Sequence, residues 1–82
     1  MPVHEIRSPL PGTFYRKPSP DAAAFKNDGD PIAAGEVIGL IEVMKTFHEV
    51  HADASGAGLR FLADDNEPIM AGQVIAEVEV GA

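Results

Sequence analysis

Residues 42–50 read EVMKTFHEV and place Lys45 where two strand-like runs must reverse direction. A primary amine supports Schiff-base chemistry, general-base catalysis, or service as an acceptor that another enzyme acylates. The first two need a desolvated lysine, and a turn between strands supplies the opposite environment. The position therefore argues against direct amine catalysis and suits an acceptor. The plain alternative is a solvated surface lysine, the commonest fate of this residue type.

Other groups with chemical potential offer less. His48 and His51 fall on opposite faces of a strand, and HEVH is not the helical H-E-x-x-H arrangement that holds zinc, so no metal site is expected. Asp64, Asp65, Asn66 and Glu67 lack the alternating ligands and glycine of a calcium loop and read as a solvated turn. Gly12, Gly29, Gly35, Gly56 and Gly72 read as turn and bulge positions, because no helix follows any of them to make a phosphate cradle. With no cysteine, thiolate chemistry and disulfides are excluded. No catalytic residue is expected.

The elements that position Lys45 emerge from an internal repeat. Residues 31–43 (PIAAGEVIGLIEV) and 68–80 (PIMAGQVIAEVEV) lie thirty-seven residues apart and agree at eight of thirteen positions. A weaker echo relates PGTFYR at 11–16 to SGAGLR at 55–60. Each copy carries a β-branched-rich run of strand length, and seven prolines with eight glycines interrupt the chain too often for helices. These features predict an all-β fold in which two related half-units face each other as small antiparallel sheets. One strand ends at Val43 and the next begins at Thr46, leaving Met44 and Lys45 as a two-residue hairpin loop. Such loops are type I′ or II′ and demand positive φ, a conformation that Met and Lys resist. A local rule broken at one point of an otherwise consistent sequence marks a candidate functional site. On the strand after the turn, Val50 and Ala52 read as core, with Phe47 on the opposite face, partly exposed beside Lys45.

The chain of 82 residues reads as a single domain, 1–82, with a formal charge of -7. That charge makes nucleic acid and anionic membrane poor partners and favours a basic protein surface. No run is long enough for a signal peptide or a membrane span, which leads to the expectation of a cytoplasmic protein.

Two motifs together resemble the biotin carboxyl carrier domains, most of all that of bacterial acetyl-CoA carboxylase. Glu42-Val43-Met44-Lys45-Thr46 is similar to the family's E-A-M-K-M, whose lysine is the biotin attachment point. RSPLPGTFYRKPSPDAAAF at 7–25 resembles R-S-P-x-x-G-T-F-Y-R-x-P-S-P-D-A-x-A-F, which includes the family's "thumb". Spacing agrees with a thumb in one half only: Gly12 to Pro31 spans nineteen residues, while Gly56 to Pro68 spans twelve. The departures are Val43 for Ala and Thr46 for Met.

The resemblance implies a flattened barrel of two four-stranded antiparallel sheets with quasi-twofold symmetry. It implies biotin on Lys45, with Glu42, Val43, Met44 and Thr46 flanking it for recognition, and Pro18, Ser19, Pro20 and Asp21 forming a thumb near the biotin. Biotin protein ligase, a biotin carboxylase and a carboxyltransferase are the implied partners of a monomeric, non-catalytic carrier serving acetyl-CoA carboxylase or a related acyl-CoA carboxylase. Two rivals stand beside it. A lipoyl domain shares the fold and the lysine, but such domains usually carry Asp before the lysine and Ala after it, and they lack the thumb. An unmodified interaction domain would leave Lys45 incidental.

Overall fold

The computed structural model describes residues 2–80; the ends of the expected 1–82 domain lie outside the described residues. Seven strands form: β1 (Val3–Arg7), β2 (Gly12–Tyr15), β3 (Val37–Val43), β4 (Thr46–His51), β5 (Gly58–Phe61), β6 (Glu67–Ile69) and β7 (Val74–Glu79). They build two antiparallel sheets, ordered β4-β3-β2-β6 and β1-β7-β5. No helix occurs among the described residues, so none is long and apolar enough to cross a membrane.

The second sheet has three strands where four were expected. Its fourth place is held by residues 29–32, which meet the segment before β5 through the Ile32–Gly56 bridge and β5 itself through Leu59 N–H donating to the Asp30 carbonyl at 3.0 Å. Pro31 brings no N–H to this edge. In the complete sheet the matching residue, Pro68, also sits on an edge strand, opposite Thr13.

The repeat becomes a quasi-twofold relation between the sheets, mapping β2 onto β5, residues 30–32 onto β6, β3 onto β7, and β4 onto β1. Its hydrogen bonds are duplicated. Ala52 N–H donates to the Glu36 carbonyl as Ser8 N–H donates to that of Gln73, and Gly35 N–H donates to Ala52 as Gly72 N–H donates to Ser8. The weaker sequence echo shifts by one residue. Phe14 pairs with Ile41 as Leu59 pairs with Val78, so Phe14 matches Leu59 and Arg16 matches Phe61. Gly12 still matches Gly56, and Ala57 is the extra residue between.

The core lies between the sheets and holds Ile6, Phe14, Ile38, Ile41, Val50, Leu59, Ile75 and Val78, all buried. Each such side chain contributes about 1.5–3 kcal/mol of burial. The two halves reach similar volumes differently. Phe14 fills the space left by Gly39, where a Cβ would stand 2.6 Å from the ring; the matching positions hold Leu59 and Ala76, a smaller side chain beside a larger one.

Candidate functional site

β3 and β4 pair continuously from Gly39↔Val50 to Val43↔Thr46, which fixes Met44 and Lys45 as the central residues of a two-residue turn. Their φ values are 49° and 67°, the left-handed geometry of a type I′ turn. Met44 is 93% exposed and Lys45 is exposed, so the amine projects into water from a rigid ladder. The first four residues of β4 are exposed while Val50 is buried. The end of the hairpin next to the turn thus runs beyond the core, and His48 is exposed although it shares the face of Val50 and Ala52. Thr46 is exposed, while Val43 and Glu42 are half-buried.

Under the twofold, the Met44-Lys45 turn corresponds to the opening between the end of β7 and the start of β1. The Phe47↔Glu42 pair beside the turn matches the Val3↔Glu79 pair beside that opening. The lysine therefore stands at the end of the β3–β4 pair that corresponds to the Val3↔Glu79 end of the β1–β7 pair.

The extra residues of the first half, eight once Ala57 is allowed for, lie between β2 and residues 30–32. Phe25 N–H donates to the Arg16 carbonyl at 2.9 Å, closing the base of a loop, and Ala22 N–H donates to the Ser19 carbonyl at 3.1 Å, turning its tip. Pro18, Ser19 and Pro20 of this loop, with Tyr15, Lys17, Phe47, Asp65 and Asn66, line a groove of about 520 Å³. Asp21 is exposed and lies outside the lining. Phe47, 56% exposed, packs its ring at 6.1 Å and 51° against Tyr15 and forms the wall nearest the turn. The Tyr15 hydroxyl donates to Glu42 Oε1 at 3.0 Å, and this bond, more than partial burial, raises the phenol's pKa above its ordinary 10.0.

The loop's foot is tied to the segment before β6. Asp65 Oδ1 accepts Arg16 N–H at 2.7 Å, Asn66 N–H donates to the Phe14 carbonyl at 2.7 Å, and the Arg16 guanidinium lies 4.1 Å above the Phe61 ring. Asp65 and Asn66 form an exposed turn, as expected, and also line the groove. The signal for them was the repeat itself, which extends upstream of Pro31 and Pro68 as DGD and DNE. Asp28 Oδ1 accepts Phe61 N–H at 2.9 Å as Asp65 accepts Arg16 N–H, and Gly29 and Asn66 both have positive φ, 91° and 66°. Tyr15 and Lys17 sat inside the recognised loop motif without a role of their own.

Among the described residues no group of three or more His, Asp or Glu could hold a metal ion. The His51 ring instead bonds the Gly35 carbonyl through Nδ1 at 2.9 Å.

The chain matches the family described as "Biotin-requiring enzyme" over residues 4–78. It is 42% identical over 60 residues to the chloroplastic biotin carboxyl carrier protein of acetyl-CoA carboxylase of Glycine max, covering 73% of this chain and 23% of that protein. It is 40% identical over 62 residues to the corresponding protein of Haemophilus influenzae, covering 76% and 40%, and 43% identical over 61 residues to that of a Nostoc species, covering 74% and 34%. The chain thus spans less than half the length of these relatives. The crystal structure of Kluyveromyces lactis urea carboxylase contains a similar fold, with a TM-score of 0.74 and 25% identity over 95% of this chain and 6% of that one. The strands, the Lys45 turn and these matches agree that the chain belongs to the biotinyl and lipoyl domain family of biotin-requiring enzymes.

Proposed function

We propose that this domain is a non-catalytic biotin carboxyl carrier, with biotin joined by an amide to Lys45 and the chain serving acetyl-CoA carboxylase or a related acyl-CoA carboxylase. The observation that carries this reading is the Met44-Lys45 turn, where two residues ill suited to positive φ hold an exposed amine at the end of a rigid ladder. The 40–43% identity to carriers named for acetyl-CoA carboxylase supports the choice of partner. The groove fits the group as well: aromatic and proline walls suit a fused bicyclic ring, and polar edges at Ser19 and Asn66 suit a ureido group.

When bound, biotin supplies a ureido nitrogen that carries a carboxyl group between a biotin carboxylase and a carboxyltransferase. The chain's own residues do the rest. Lys45 provides a tether whose stem and valeryl chain together extend roughly 12 Å, from about ten single bonds. Tethering raises the local concentration of the ring at both partner sites. Met44, Glu42, Val43 and Thr46 present the turn to biotin protein ligase, whose own site takes the proton of the amine as the amide forms. Pro18, Ser19 and Pro20 form the wall against which the ring rests when disengaged. Asp21, outside the lining, acts only through the loop's backbone. The carrier works as a cytoplasmic monomer.

The test is the intact mass of the chain after co-expression with biotin protein ligase and excess biotin, beside Lys45→Arg. A single biotinyl increment, absent from the variant, is expected. An unmodified chain that instead accepts lipoate from a lipoate ligase would replace this reading with the lipoyl one.

A further inference from the structure

The groove beside the turn has a counterpart related by the twofold, and the comparison isolates what the first was given. The second groove is lined by Val3 in place of Phe47, Gly29 in place of Asn66, and Arg60 in place of Tyr15, with Glu77 and Glu79 alongside. Its cation is already neutralised, since Arg60 Nη2 lies 2.7 Å from Glu77 Oε1. The first groove carries Lys17, which is half-buried. The ion pairs among the described residues use Arg7, Arg60, Lys26 and two histidines, and Lys17 takes part in none. The nearby carboxylate, Asp65, spends one oxygen on Arg16 N–H.

A cation without a carboxylate partner among the described residues, walled by Tyr15 and Phe47, can pair with an anion. Phe47 begins this wall two residues from Lys45, about 7 Å along an extended strand, so an arm of roughly 12 Å can fold back to reach it. Attached but uncarboxylated biotin, amide-linked through its valeryl carboxyl, has no charge to offer Lys17. The carboxylated ring has one.

We propose that Lys17 is a positioning residue that pairs with the carboxyl group on the ureido nitrogen, so that the thumb groove retains the loaded arm in preference to the empty one and slows loss of its cargo. This rests on the biotin carrier reading above. Loss of cargo breaks the bond between ureido nitrogen and carboxyl carbon: the carboxyl leaves as CO₂, the electron pair stays on nitrogen, and nitrogen takes a proton from water. Negative charge leaves the carboxylate as that bond stretches, so an ammonium beside the carboxylate stabilises the loaded state more than the transition state.

The experiment loads the biotinylated chain with ¹³C-bicarbonate using ATP and a biotin carboxylase, removes the carboxylase, and follows decay of the ¹³C-carboxyl signal. Lys17→Gln is expected to shorten the half-life about three- to fivefold, the scale of one partly exposed ion pair, and Lys17→Arg to restore most of it. Asp65→Asn keeps an oxygen for Arg16 N–H, removes the competing charge, and lengthens the half-life. On loading, the amides of Phe47 and Asn66 shift in the wild type and not in Lys17→Gln, a readout that a general loss of stability would not give. Equal half-lives for wild type and Lys17→Gln would overturn the proposal. Failure to gain the biotinyl mass, seen before loading begins, would overturn the carrier reading instead.

Discussion

The Tyr15 hydroxyl and the Glu42 carboxylate bond at 3.0 Å across β2 and β3, although Tyr15 is backbone-paired with Leu40 and Glu42 with Thr13. This diagonal contact links the strand that leads into the thumb to the strand that leads into the lysine turn. Tyr15 also packs on Phe47, so one side chain joins three segments of the site.

Its titration gives the first prediction. Hydrogen bonding to Glu42 and partial desolvation raise the Tyr15 pKa above 10.0. The folded state therefore holds the phenolic proton longer than the unfolded chain. The resulting stability is fully present below about pH 10 and is lost as the pH rises through the folded value. Ultraviolet titration of the single tyrosine should show Glu42→Gln ionising at lower pH than wild type, and an unchanged midpoint would mean the bond is absent in solution.

The turn gives a second. Replacing Met44-Lys45 with Asn-Gly supplies residues that accept positive φ, and it should raise unfolding stability by about 1–2 kcal/mol in urea. The same variant should gain no biotinyl mass. Stability and modification moving in opposite directions would show that the strain is kept for the lysine; a variant no more stable than wild type would show that the ladder already absorbs it.

A third concerns close approach. A Cβ on Gly12 would collide with the Glu42 carbonyl oxygen, and one on Gly56 with that of Glu79, the same crossing in each half. Gly12→Ala and Gly56→Ala should each cost about 1–3 kcal/mol, read from urea midpoints, because backbone and not a flexible side chain blocks the space. The exposed Gly72, by contrast, has open space around its Cβ position but a φ of 83°, so Ala there should cost only the backbone strain.

Which of these features the sequence announces depends on whether they repeat. The copies at 31–43 and 68–80 carry the strands and the twofold, and the bounds of β3 and the turn follow from β-branched runs on either side of two residues that fit no strand. The extra residue Ala57 hid the true match of Phe14 with Leu59, because Gly and Arg recur at equal spacing while the backbone shifts register. Lys17 was not legible as a site residue, since its role depends on a groove assembled from β2, β4 and the segment before β6. Asp21 shares the thumb's motif but does not line the groove, a difference that sequence position cannot encode.

The repeat also contains its own control for a pH effect. Glu36 accepts Lys26 Nζ at 2.8 Å and Ala33 N–H at 2.7 Å; Gln73, its counterpart, accepts only Met70 N–H at 3.0 Å. The Lys26 bond, and then the Ala33 bond, hold the Glu36 carboxyl below its ordinary 4.5. Being depressed in the folded state, it contributes stability that is fully present above about pH 4.5 and is lost as the pH falls through the folded value. Glu36→Gln should keep the bond to Ala33, as Gln73 keeps its own to Met70, while losing the ion pair with Lys26. Urea midpoints should thus favour wild type at about pH 6, and the gap should narrow as the pH falls through the depressed folded value of Glu36. A gap that does not narrow as the pH falls would place the effect outside the Glu36–Lys26 ion pair.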